Sequence, residues 1–307
     1  MKLVLFDFMN LMHRAYHAYP RTLATLDGTQ TNAVYGFSNI ILNALKKLAP
    51  THVICASEKG PSFRHLLFAP YKENRGWRRE RPQEAEEFDK QVPLTEQVLA
   101  SLGIPLAVCG GYEADDVIGT LARNFDSRME VVIVSSDMDF MQLVNSSTFV
   151  FRPARPPYIK EKLFDTAGVK EKYSLNPNQL IDFKAIRGDP SDNIPGVFGI
   201  GEKVAQKLVA EFGSVENIYH NLGKITSPAT QKKLAEGAEQ VVLCKQLSTI
   251  VTNAPITVKL EEARWLGQTP QATELFKKLE FKSLIPKTKE VVNKPMDAPQ
   301  NQLNFFG

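Results

Sequence analysis

Eight acidic side chains stand in four short segments that adjoin apolar runs, and carboxylates so placed are candidates for binding metal ions. In open α/β sheets, ligand sites form where strands end, so we expect these side chains to converge. Two carboxylates about 4 Å apart repel by roughly 4 kcal/mol at an effective dielectric constant near 20, so protons or cations must neutralise them. Oxygen ligands without histidine or cysteine favour Mg²⁺ or Mn²⁺. The eight are Asp7, Glu113, Asp115, Asp116, Asp137, Asp139, Asp189 and Asp192.

Each acidic segment also has an explanation without a metal. The acids at 113–116 stand where a helix would begin, and acids in a first turn favour the helix dipole. Asp137 and Asp139 point the same way if the chain stays extended after its strand. Asp189 and Asp192 lie in a turn of Gly, Pro and Ser, and a role as turn or cap residues is the better interpretation of that segment taken alone.

A second candidate site is the segment GVFGIGEK at 196–203, which follows the last two acids. Gly196, Gly199 and Gly201 let backbone N–H groups approach a phosphate. A helix beginning near residue 202 would offer its N-terminus and Lys203 to the same anion. A glycine-rich turn before a helix is a weak signal by itself, and its position after the acidic pair strengthens it.

Six basic residues against two acidic ones stand between positions 64 and 81, with aromatic residues among them. Such a mixture suits a phosphate backbone with accessible bases, through charge neutralisation and stacking. A solvated basic surface loop is an equal alternative for this run taken alone. The basic residues are Arg64, Lys72, Arg75, Arg78, Arg79 and Arg81, and the aromatic ones are Phe63, Tyr71 and Trp77.

The elements that would position these residues follow from the apolar pattern. Short runs rich in Val, Ile and Leu predict buried strands, and helical spacing between them predicts an α/β fold with a mostly parallel sheet and flanking helices. The predicted strands cover residues 2–7, 52–57, 104–109 and 130–135. Past residue 175 the chain reads as helical. The predicted helices cover residues 33–48, 114–124, 177–187, 202–212, 231–247 and 273–279.

Composition indicates a globular protein. With 307 residues and 43% hydrophobic content, the chain can bury a full core and carry two domains. Three cysteines without C-x-x-C spacing argue against a disulfide framework or zinc site and fit a reducing compartment. The N-terminal apolar run is too short for a signal peptide, and no stretch approaches the roughly 20 apolar residues of a membrane span. We therefore expect a cytoplasmic protein without a membrane partner.

Six segments in order resemble the bacterial 5′-nuclease family, which includes flap endonucleases and the 5′–3′ exonuclease domain of DNA polymerase I. They are LFDFMNLMHRAYHA, KGPSFRHLLFAPYKENR, GYEADDVIGTLA, VIVSSDMDFMQLV, KAIRGDPSDNIPGVFGIGEKVAQKL and LEFKSL. The resemblance implies a PIN-like nuclease core at 1–175 with a helical arch at 62–92. A DNA-binding region of the helix–three-residue-turn–helix type follows at 176–286. Because no polymerase domain follows, we expect the standalone form, acting as a monomer.

The resemblance also implies roles for individual residues. The eight acids match a metal site of two clusters, which would hold two Mg²⁺ or Mn²⁺ ions. Tyr71, Lys72 and Arg75 match the arch that handles the single strand near the scissile phosphate, and Arg14 matches a basic residue of the first helix. The 196–203 segment matches a hairpin that grips duplex DNA, often with K⁺. The DNA-binding residues so assigned are Arg64, Lys184, Gly196, Gly199, Gly201 and Lys203.

Two positions depart from the family pattern. Ser57 stands where the family carries a metal-site aspartate after the second strand, and Glu58 follows it. Phe8 stands where the family carries a glycine. Since serine cannot supply the charge of a carboxylate, either Glu58 reaches the metal or one ion binds more weakly.

The last residues, from 287, show no helical or strand period until the apolar residues at the end, and we expect a flexible tether there. The sequence QLNFF is similar to the bacterial sliding-clamp-binding pentapeptide, which predicts that Gln302, Leu303, Phe305 and Phe306 bind a clamp. A tether of about 15 residues would keep the enzyme at high local concentration near its substrate. Alternatively, these aromatics pack on their own domain.

The predicted function is Mg²⁺-dependent hydrolysis of phosphodiester bonds near the junction of a 5′ single strand and duplex DNA, as in primer removal and repair. One alternative is a junction-binding protein with weakened catalysis, for which Ser57 and Phe8 are the support. Another is a PIN-type ribonuclease toxin, which would need neither the 196–203 hairpin nor the tail.

Overall fold

The computed structural model of the chain describes residues 1–155, 157–267 and 270–292. The strands are β1 Lys2–Asp7, β2 His52–Ser57, β3 Leu106–Val108, β4 Glu130–Val134, β5 Thr148–Arg152 and β6 Lys162–Phe164. The helices of the first half are α1 Phe8–Ala18, α2 Asn32–Leu48, α3 Phe63–Leu67, α4 Trp77–Glu80, α5 Pro82–Ser101, α6 Ala114–Phe125 and α7 Thr166–Tyr173. Those of the second half are α8 Leu180–Arg187, α9 Glu202–Phe212, α10 Val215–His220, α11 Pro228–Glu236, α12 Ala238–Ser248, α13 Leu260–Ala263, α14 Pro270–Lys278 and α15 Ile285–Val292. Short 3₁₀ turns cover Asp139–Leu143, Pro177–Gln179, Pro190–Asp192 and Leu222–Lys224.

One sheet carries the site, and its strand order is β3-β2-β1-β4-β5-β6. The first five strands are parallel, whereas β6 pairs antiparallel with β5. This confirms the predicted α/β fold with a mostly parallel sheet. The chain leaves β1 towards one edge and returns to β4 on the other side, so the strand order reverses between β1 and β4. Ligands bind outside the carboxyl ends of strands at such a point.

Alternating side chains of the strands build two apolar layers, one on each face of the sheet. Leu3 and Leu5 of β1 pack into the layer that contains α6 and the helical second half. Val4 and Phe6 pack into the layer formed by α1, α2 and α5. The sheet is therefore covered on both faces, and the acidic side chains gather at its carboxyl edge.

The last described helices do not belong to the helical region that the sequence predicted for 176–286. Trp265 donates its backbone N–H to the Thr51 carbonyl (3.0 Å) and its indole N–H to the Leu102 carbonyl (3.1 Å). Phe276 and Leu284 are buried in the same layer as α1 and α2. The chain after α12 thus packs back on the nuclease core.

The predicted start of the tail at 287 was wrong. Helix α15 continues to Val292 and packs against α2, with Thr288 completely buried. Lys287 donates to Asn39 Oδ1 (2.6 Å). The sequence did not predict α15, because this stretch is polar and the helix buries only a few side chains. The clamp-binding prediction for Gln302, Leu303, Phe305 and Phe306 lies outside the described residues.

Other element predictions differ in their boundaries. The predicted helix at 231–247 is two helices, α11 and α12, that meet at Gly237. A Cβ at Gly237 would lie 3.0 Å from Val197 Cγ1, so the close approach of two segments requires glycine there. The sequence did not predict β5, β6 or α5. Within the described ranges, no helix is both long and apolar enough to cross a membrane.

Candidate metal centre

Asp7 occupies the centre of the carboxyl edge, because it ends β1 and caps α1. Its Oδ1 accepts from the backbone N–H of Asn10 (3.3 Å), and its Oδ2 accepts from the Ser135 hydroxyl at the end of β4 (2.8 Å). Burial raises the pKa of Asp7 to about 7, and the negative charge of Asp137 adds to the rise, while the two hydrogen bonds oppose it. The site therefore holds Asp7 near the point where it gains or loses a proton at neutral pH.

Asp115 and Asp137 complete a set with Asp7 that we call cluster I. Burial raises the pKa of Asp115 well above its usual value, and the charges of Asp137 and Asp7 raise it further. The N–H of Asp137 donates to Ser135 Oγ (3.0 Å), which fixes the loop after β4. Three acids that repel one another from three elements form a site that a hard cation would neutralise.

Glu58 directly follows the end of β2, and its charge acts on Asp7 of cluster I. Ser57, where the family carries aspartate, is buried, and Glu58 beside it is exposed. The charge of Glu58 contributes to the raised pKa of Asp7, after the larger effects of burial and Asp137. The two outcomes left open by the sequence, a carboxylate supplied by Glu58 or a more weakly bound ion, both stay predictions.

The second departure, Phe8, has a packing role. It is the first residue of α1, is buried, and meets the ring of Phe37 on α2 edge-on at 5.4 Å between centroids. Phe8 points into the α1/α2 layer, so it anchors the helix that Asp7 caps.

Asp139, Asp189 and Asp192 form cluster II, with carboxylate oxygens that all lie within 4.8 Å of one another. Burial raises the pKa of Asp139 to about 6, and Asp137 adds to this. Asp189 also caps its turn, where its Oδ1 accepts from the Ser191 N–H (2.9 Å). Asp189 therefore has both roles: it caps the turn, as the alternative interpretation predicted, and it belongs to the acidic cluster.

Lys184, predicted to bind DNA, serves cluster II. Its ammonium donates to Asp189 Oδ2 (2.6 Å) and to Asp139. Against the effect of burial, Lys184 lowers the pKa of Asp189 to about 2. In this structure the ammonium is paired with two acids, so the assignment of Lys184 to DNA stays a prediction. The residue acts as a built-in counter-ion.

Two of the predicted arch residues, Lys72 and Arg75, form ion pairs with acids of the site. Lys72 Nζ donates to Glu113 Oε1 (2.8 Å), and Arg75 forms an ion pair with Asp192. The backbone N–H of Lys72 donates to the Asp192 carbonyl (2.9 Å). The start of the arch is therefore tied directly to cluster II, and its two cations stand at the edge of the acidic site.

Tyr71 was predicted to handle the single strand, and its surroundings contradict a stacking role. Its side chain is only 3% exposed, and its hydroxyl donates to Glu113 Oε2 (3.1 Å). Burial raises the pKa of Tyr71, with Glu113 adding to the rise. Trp77 packs against Phe88 and His13, at 5.9 and 5.5 Å between ring centroids. The Tyr71 and Trp77 rings are therefore used for packing inside the protein.

Arg64, predicted to bind DNA, and Asp116, predicted to bind a metal, form a buried ion pair. Arg64, 2% exposed, places Nη1 and Nη2 on the two oxygens of Asp116 (2.7 and 2.8 Å) and also donates to the carbonyls of Leu247 (3.0 Å) and Thr249 (2.7 Å). The N–H of Val251 donates to Asp116 Oδ1 as well (2.8 Å). Arg64 is therefore buried among protein partners, and both oxygens of Asp116 accept from protein donors. The pair joins the arch base and α6 to the end of α12.

Glu113 links this ion pair to the metal clusters. It caps α6 and accepts from Lys72, Tyr71, Ser62 and Arg64. Although burial favours its neutral form, Lys72 and Arg64 lower the pKa of Glu113 below its usual value. Glu113 is thus ionised at neutral pH and holds the arch base in place.

The glycine-rich segment forms a tight hairpin before α9. Gly196 has φ +66°, and a Cβ there would lie 2.3 Å from the backbone N of Gly188, so the two segments touch. Gly199 has φ +74° and accepts from Lys233 Nζ (2.9 Å). Gly201 caps α9, and Lys203 is exposed on its first turn. Phe198, which the sequence did not single out, is 92% exposed between these glycines. The sequence signal that could have identified Phe198 is an aromatic residue placed between the glycines of a turn.

Arg14 reaches the loop beside cluster I. Its guanidinium donates to Ser136 Oγ, next to Asp137, and to the Pro153 carbonyl (3.0 Å). Cluster II has carboxylate oxygens close enough to share a metal ion, and the acids of cluster I stand beside it, with basic side chains at the edge of both.

Comparison with known proteins agrees with this geometry. Residues 2–174, more than half of the chain, match the family profile described as the 5′-3′ exonuclease, N-terminal resolvase-like domain. Residues 175–271 match the 5′-3′ exonuclease, C-terminal SAM fold. The two matches meet between α7 and the Pro177–Gln179 turn, where the chain passes from the sheet to the helical region.

Among characterised proteins, DNA polymerase I of Caldicellulosiruptor bescii is 41% identical over 290 residues, which cover 93% of this chain and 33% of that protein. The chain spans about a third of the length of the curated relatives it matches. The flap endonuclease of bacteriophage T5, solved with DNA and metal ions, is 20% identical with a TM-score of 0.68, covering 95% of this chain and 98% of that one. Flap endonuclease-1 from Methanococcus jannaschii is 17% identical with a TM-score of 0.59, covering 95% and 92%. These two structures share the fold.

Proposed function

The chain belongs to the 5′-3′ exonuclease family of phosphodiester hydrolases, and from this premise we propose that it is a Mg²⁺-dependent, structure-specific 5′ nuclease. Its substrate is DNA in which a 5′ single strand meets a duplex, as in primer removal and repair. One observation carries the proposal: clusters I and II lie side by side at the carboxyl ends of β1 and β4, with Lys72 and Arg75 at their edge.

Cluster I with Glu58 would hold one divalent cation and cluster II the other, whether Mg²⁺ or Mn²⁺. When bound, such ions lower the pKa of an attacking water and stabilise the leaving oxygen. The chain supplies the positions. Asp7 is fixed by Ser135 and Asn10, and cluster II is fixed by the turn that Asp189 caps. Carboxylates held by second partners keep their orientation when a ligand changes.

Lys72 and Arg75 are the residues that we assign to the scissile phosphate. Each neutralises an acid here, Glu113 and Asp192 respectively. Once those acids are neutralised in another way, the ammonium and guanidinium are available to the developing charge on a phosphate. Lys72 has φ +56°, which costs a non-glycine residue about 1–2 kcal/mol. Strain of this kind gathers at functional sites, which supports a positioning role for the backbone at Lys72.

The hairpin at 196–203 is the surface that we assign to duplex DNA, with Lys203 and the N-terminus of α9 facing a backbone phosphate. A K⁺ ion at this hairpin is part of the proposal. We further propose a monomer that works in the cytoplasm and binds a sliding clamp through residues 302–306. The tight backbone approach at Gly196 supports the hairpin assignment, because it fixes the turn that precedes α9.

A junction-binding protein with weakened catalysis is the second candidate, and Ser57 is the observation in its favour. Against it, the sequence keeps all eight predicted acids, and the charge of Glu58 acts on Asp7, which favours the enzyme. A 5′-labelled flap separates the two functions. The enzyme should cleave it near the junction with Mg²⁺ and not with EDTA, whereas a binding protein would retain the intact flap in both.

The matched variants for this assay are Asp137→Asn and Glu130→Gln. Both remove one acid near β4, but Glu130 stands at the amino end of the strand, where it pairs only with Lys2 within the described residues. Cleavage should be lost in Asp137→Asn and unchanged in Glu130→Gln. Wild-type protein that binds the flap and never cleaves it would overturn the proposed reaction.

A further inference from the structure

A group of basic side chains borders the metal loop on the side away from the arch. It consists of Arg14 on α1, Arg152 at the end of β5, Arg155 in the connection to β6, and Lys172 on α7, and we call it the basic cluster. The family resemblance singled out Arg14 as a basic residue of the first helix, and nothing in the sequence indicated that the other three join it. In the part of the chain that the structure describes, none of the four forms an ion pair with an acid.

Arg14 ties the cluster to the loop that carries cluster I. Its guanidinium donates to Ser136 and, across the loop, to the carbonyls of Pro153 (3.0 Å) and Ala154. Pro153 directly follows Arg152. The first helix therefore fixes the end of β5 against the residue that precedes Asp137.

Lys172 ties the cluster to the same loop from the other side. Its Nζ lies 3.0 Å from Met138 Sδ, and Met138 stands between Asp137 and Asp139. Both Lys172 Nζ and Arg152 Cζ lie over the ring of Phe164, at 5.7 and 5.5 Å from its centroid. The basic cluster therefore contacts Met138, the residue that lies in sequence between Asp137 of cluster I and Asp139 of cluster II.

The cations are held together against their own repulsion. Burial lowers the pKa of Arg14, and the charges of Arg155 and Arg152 lower it further. Burial also lowers the pKa of Lys172, with Arg152 and Lys162 adding to the fall. Arg152 Nε is buried and has no hydrogen-bond partner among the described residues. An unpaired buried donor amid like charges is unfavourable unless an anion completes the site.

We propose that the basic cluster binds a phosphate group of the DNA strand that enters clusters I and II. This inference rests on the proposed function and assigns the strand a path over the loop between β4 and its 3₁₀ turn. The phosphate is either an internal diester of that strand or its 5′-terminal monoester. Both present the anionic oxygens that paired arginine and lysine side chains bind.

The test uses the exposed members, so that the fold is left intact. A double variant, Arg155→Gln with Lys172→Gln, is compared with Arg123→Gln and Lys46→Gln, which removes two exposed charges on α6 and α2 that pair with Asp126 and Glu290. Dissociation constants are measured by fluorescence anisotropy in EDTA, where no turnover occurs, at graded NaCl. The probes are a 5′-phosphorylated flap, a 5′-hydroxyl flap and a blunt duplex.

The double variant should bind flaps about tenfold more weakly, because it loses charge-assisted hydrogen bonds. Its salt slope should fall by about 0.7 for each phosphate of the single strand that the two side chains no longer neutralise, while its affinity for the blunt duplex stays that of the control. Equal weakening on both flaps identifies an internal diester, and weakening confined to the phosphorylated flap identifies the terminal monoester. Flap affinities and slopes equal to the control, or the same weakening on the duplex, would overturn the proposal.

Failure of the proposed function is a separate result. In that case, wild-type protein would not cleave the flap in Mg²⁺ at all. If wild-type protein cleaves the flap while the double variant binds and cleaves like the control, only the basic cluster is refuted.

Discussion

The change of Asp116 to Asn distinguishes a residue that holds the fold together from one that would hold a metal. Asp116 is completely buried, and its oxygens accept from Arg64 (2.7 and 2.8 Å) and from the N–H groups of Val251 (2.8 Å) and Glu113 (3.1 Å). Asparagine keeps one acceptor and turns an NH₂ group towards the guanidinium. Arg64 would then retain only Glu113, at 3.3 Å, as an acidic partner.

Removal of one partner from a buried ion pair destabilises a protein by about 3–5 kcal/mol, against a typical total of about 5–15 kcal/mol. We therefore expect Asp116→Asn to lower the free energy of unfolding by about 3 kcal/mol. At a slope near 3 kcal/mol/M, the urea midpoint falls by about 1 M. Asp137→Asn has the opposite effect on stability, because it removes one of three acids that repel one another in cluster I.

The assay is urea unfolding, followed by the fluorescence of the two tryptophans, without and with Mg²⁺. A bound ion raises the midpoint by mass action. Mg²⁺ should stabilise wild type and Asp116→Asn by similar amounts and should have much less effect on Asp137→Asn. The reasoning would be refuted if Asp116→Asn unfolded at the same urea concentration as wild type and if Mg²⁺ no longer raised its midpoint. That result would identify Asp116 as a metal ligand.

Three further predictions concern the metal set, its protons and the tail. Ser57→Asp should change the Mg²⁺ concentration needed for half-maximal cleavage less than Glu58→Gln does, because the charge of Glu58 already acts on Asp7. A larger effect of Ser57→Asp in a Mg²⁺ titration would instead assign the role to position 57. In EDTA, wild type should lose stability relative to Asp7→Asn as pH rises from about 4 through about 7, because the folded state holds the Asp7 proton to a pKa of about 7; parallel melting temperatures from pH 5 to 8 would contradict this. Deletion of residues 302–307 should leave flap turnover unchanged and abolish binding to a bacterial sliding clamp in calorimetry. If the deletion variant gives the same heat of binding as wild type, these residues are not the clamp-binding motif.

The parts of the fold that the sequence predicts well are those with a strong period and a clear end. The runs ending at Asp7 and Ser57 are continuous and apolar because both faces of these strands are buried. Helix α9 spans 202–212 as predicted, with glycine on either side. By contrast, β6 is three residues long and α5 has a weak apolar face, so neither shows a period that can be detected in the sequence.

For the candidate site, the sequence identifies the acids but not their partners. The acids can be expected to converge because they follow strands, and a parallel sheet brings the carboxyl ends of its strands to one edge. Which cation each acid meets depends on packing between segments far apart in the chain. Arg64 and Lys184 looked like surface charges, yet Arg64 bridges to α12, and Lys184 turns inward to Asp139 and Asp189. Only the three-dimensional arrangement shows that these charges are used inside.

The measurement that tests the central claim most directly counts bound Mn²⁺ by electron paramagnetic resonance while flap cleavage is followed in the same samples. Wild type should bind two ions and cleave. Asp137→Asn and Asp189→Asn should each lose one ion and nearly all cleavage, because they remove ligands from cluster I and cluster II respectively. Two ions and wild-type cleavage in either variant would contradict the assignment of these carboxylates to a catalytic metal centre.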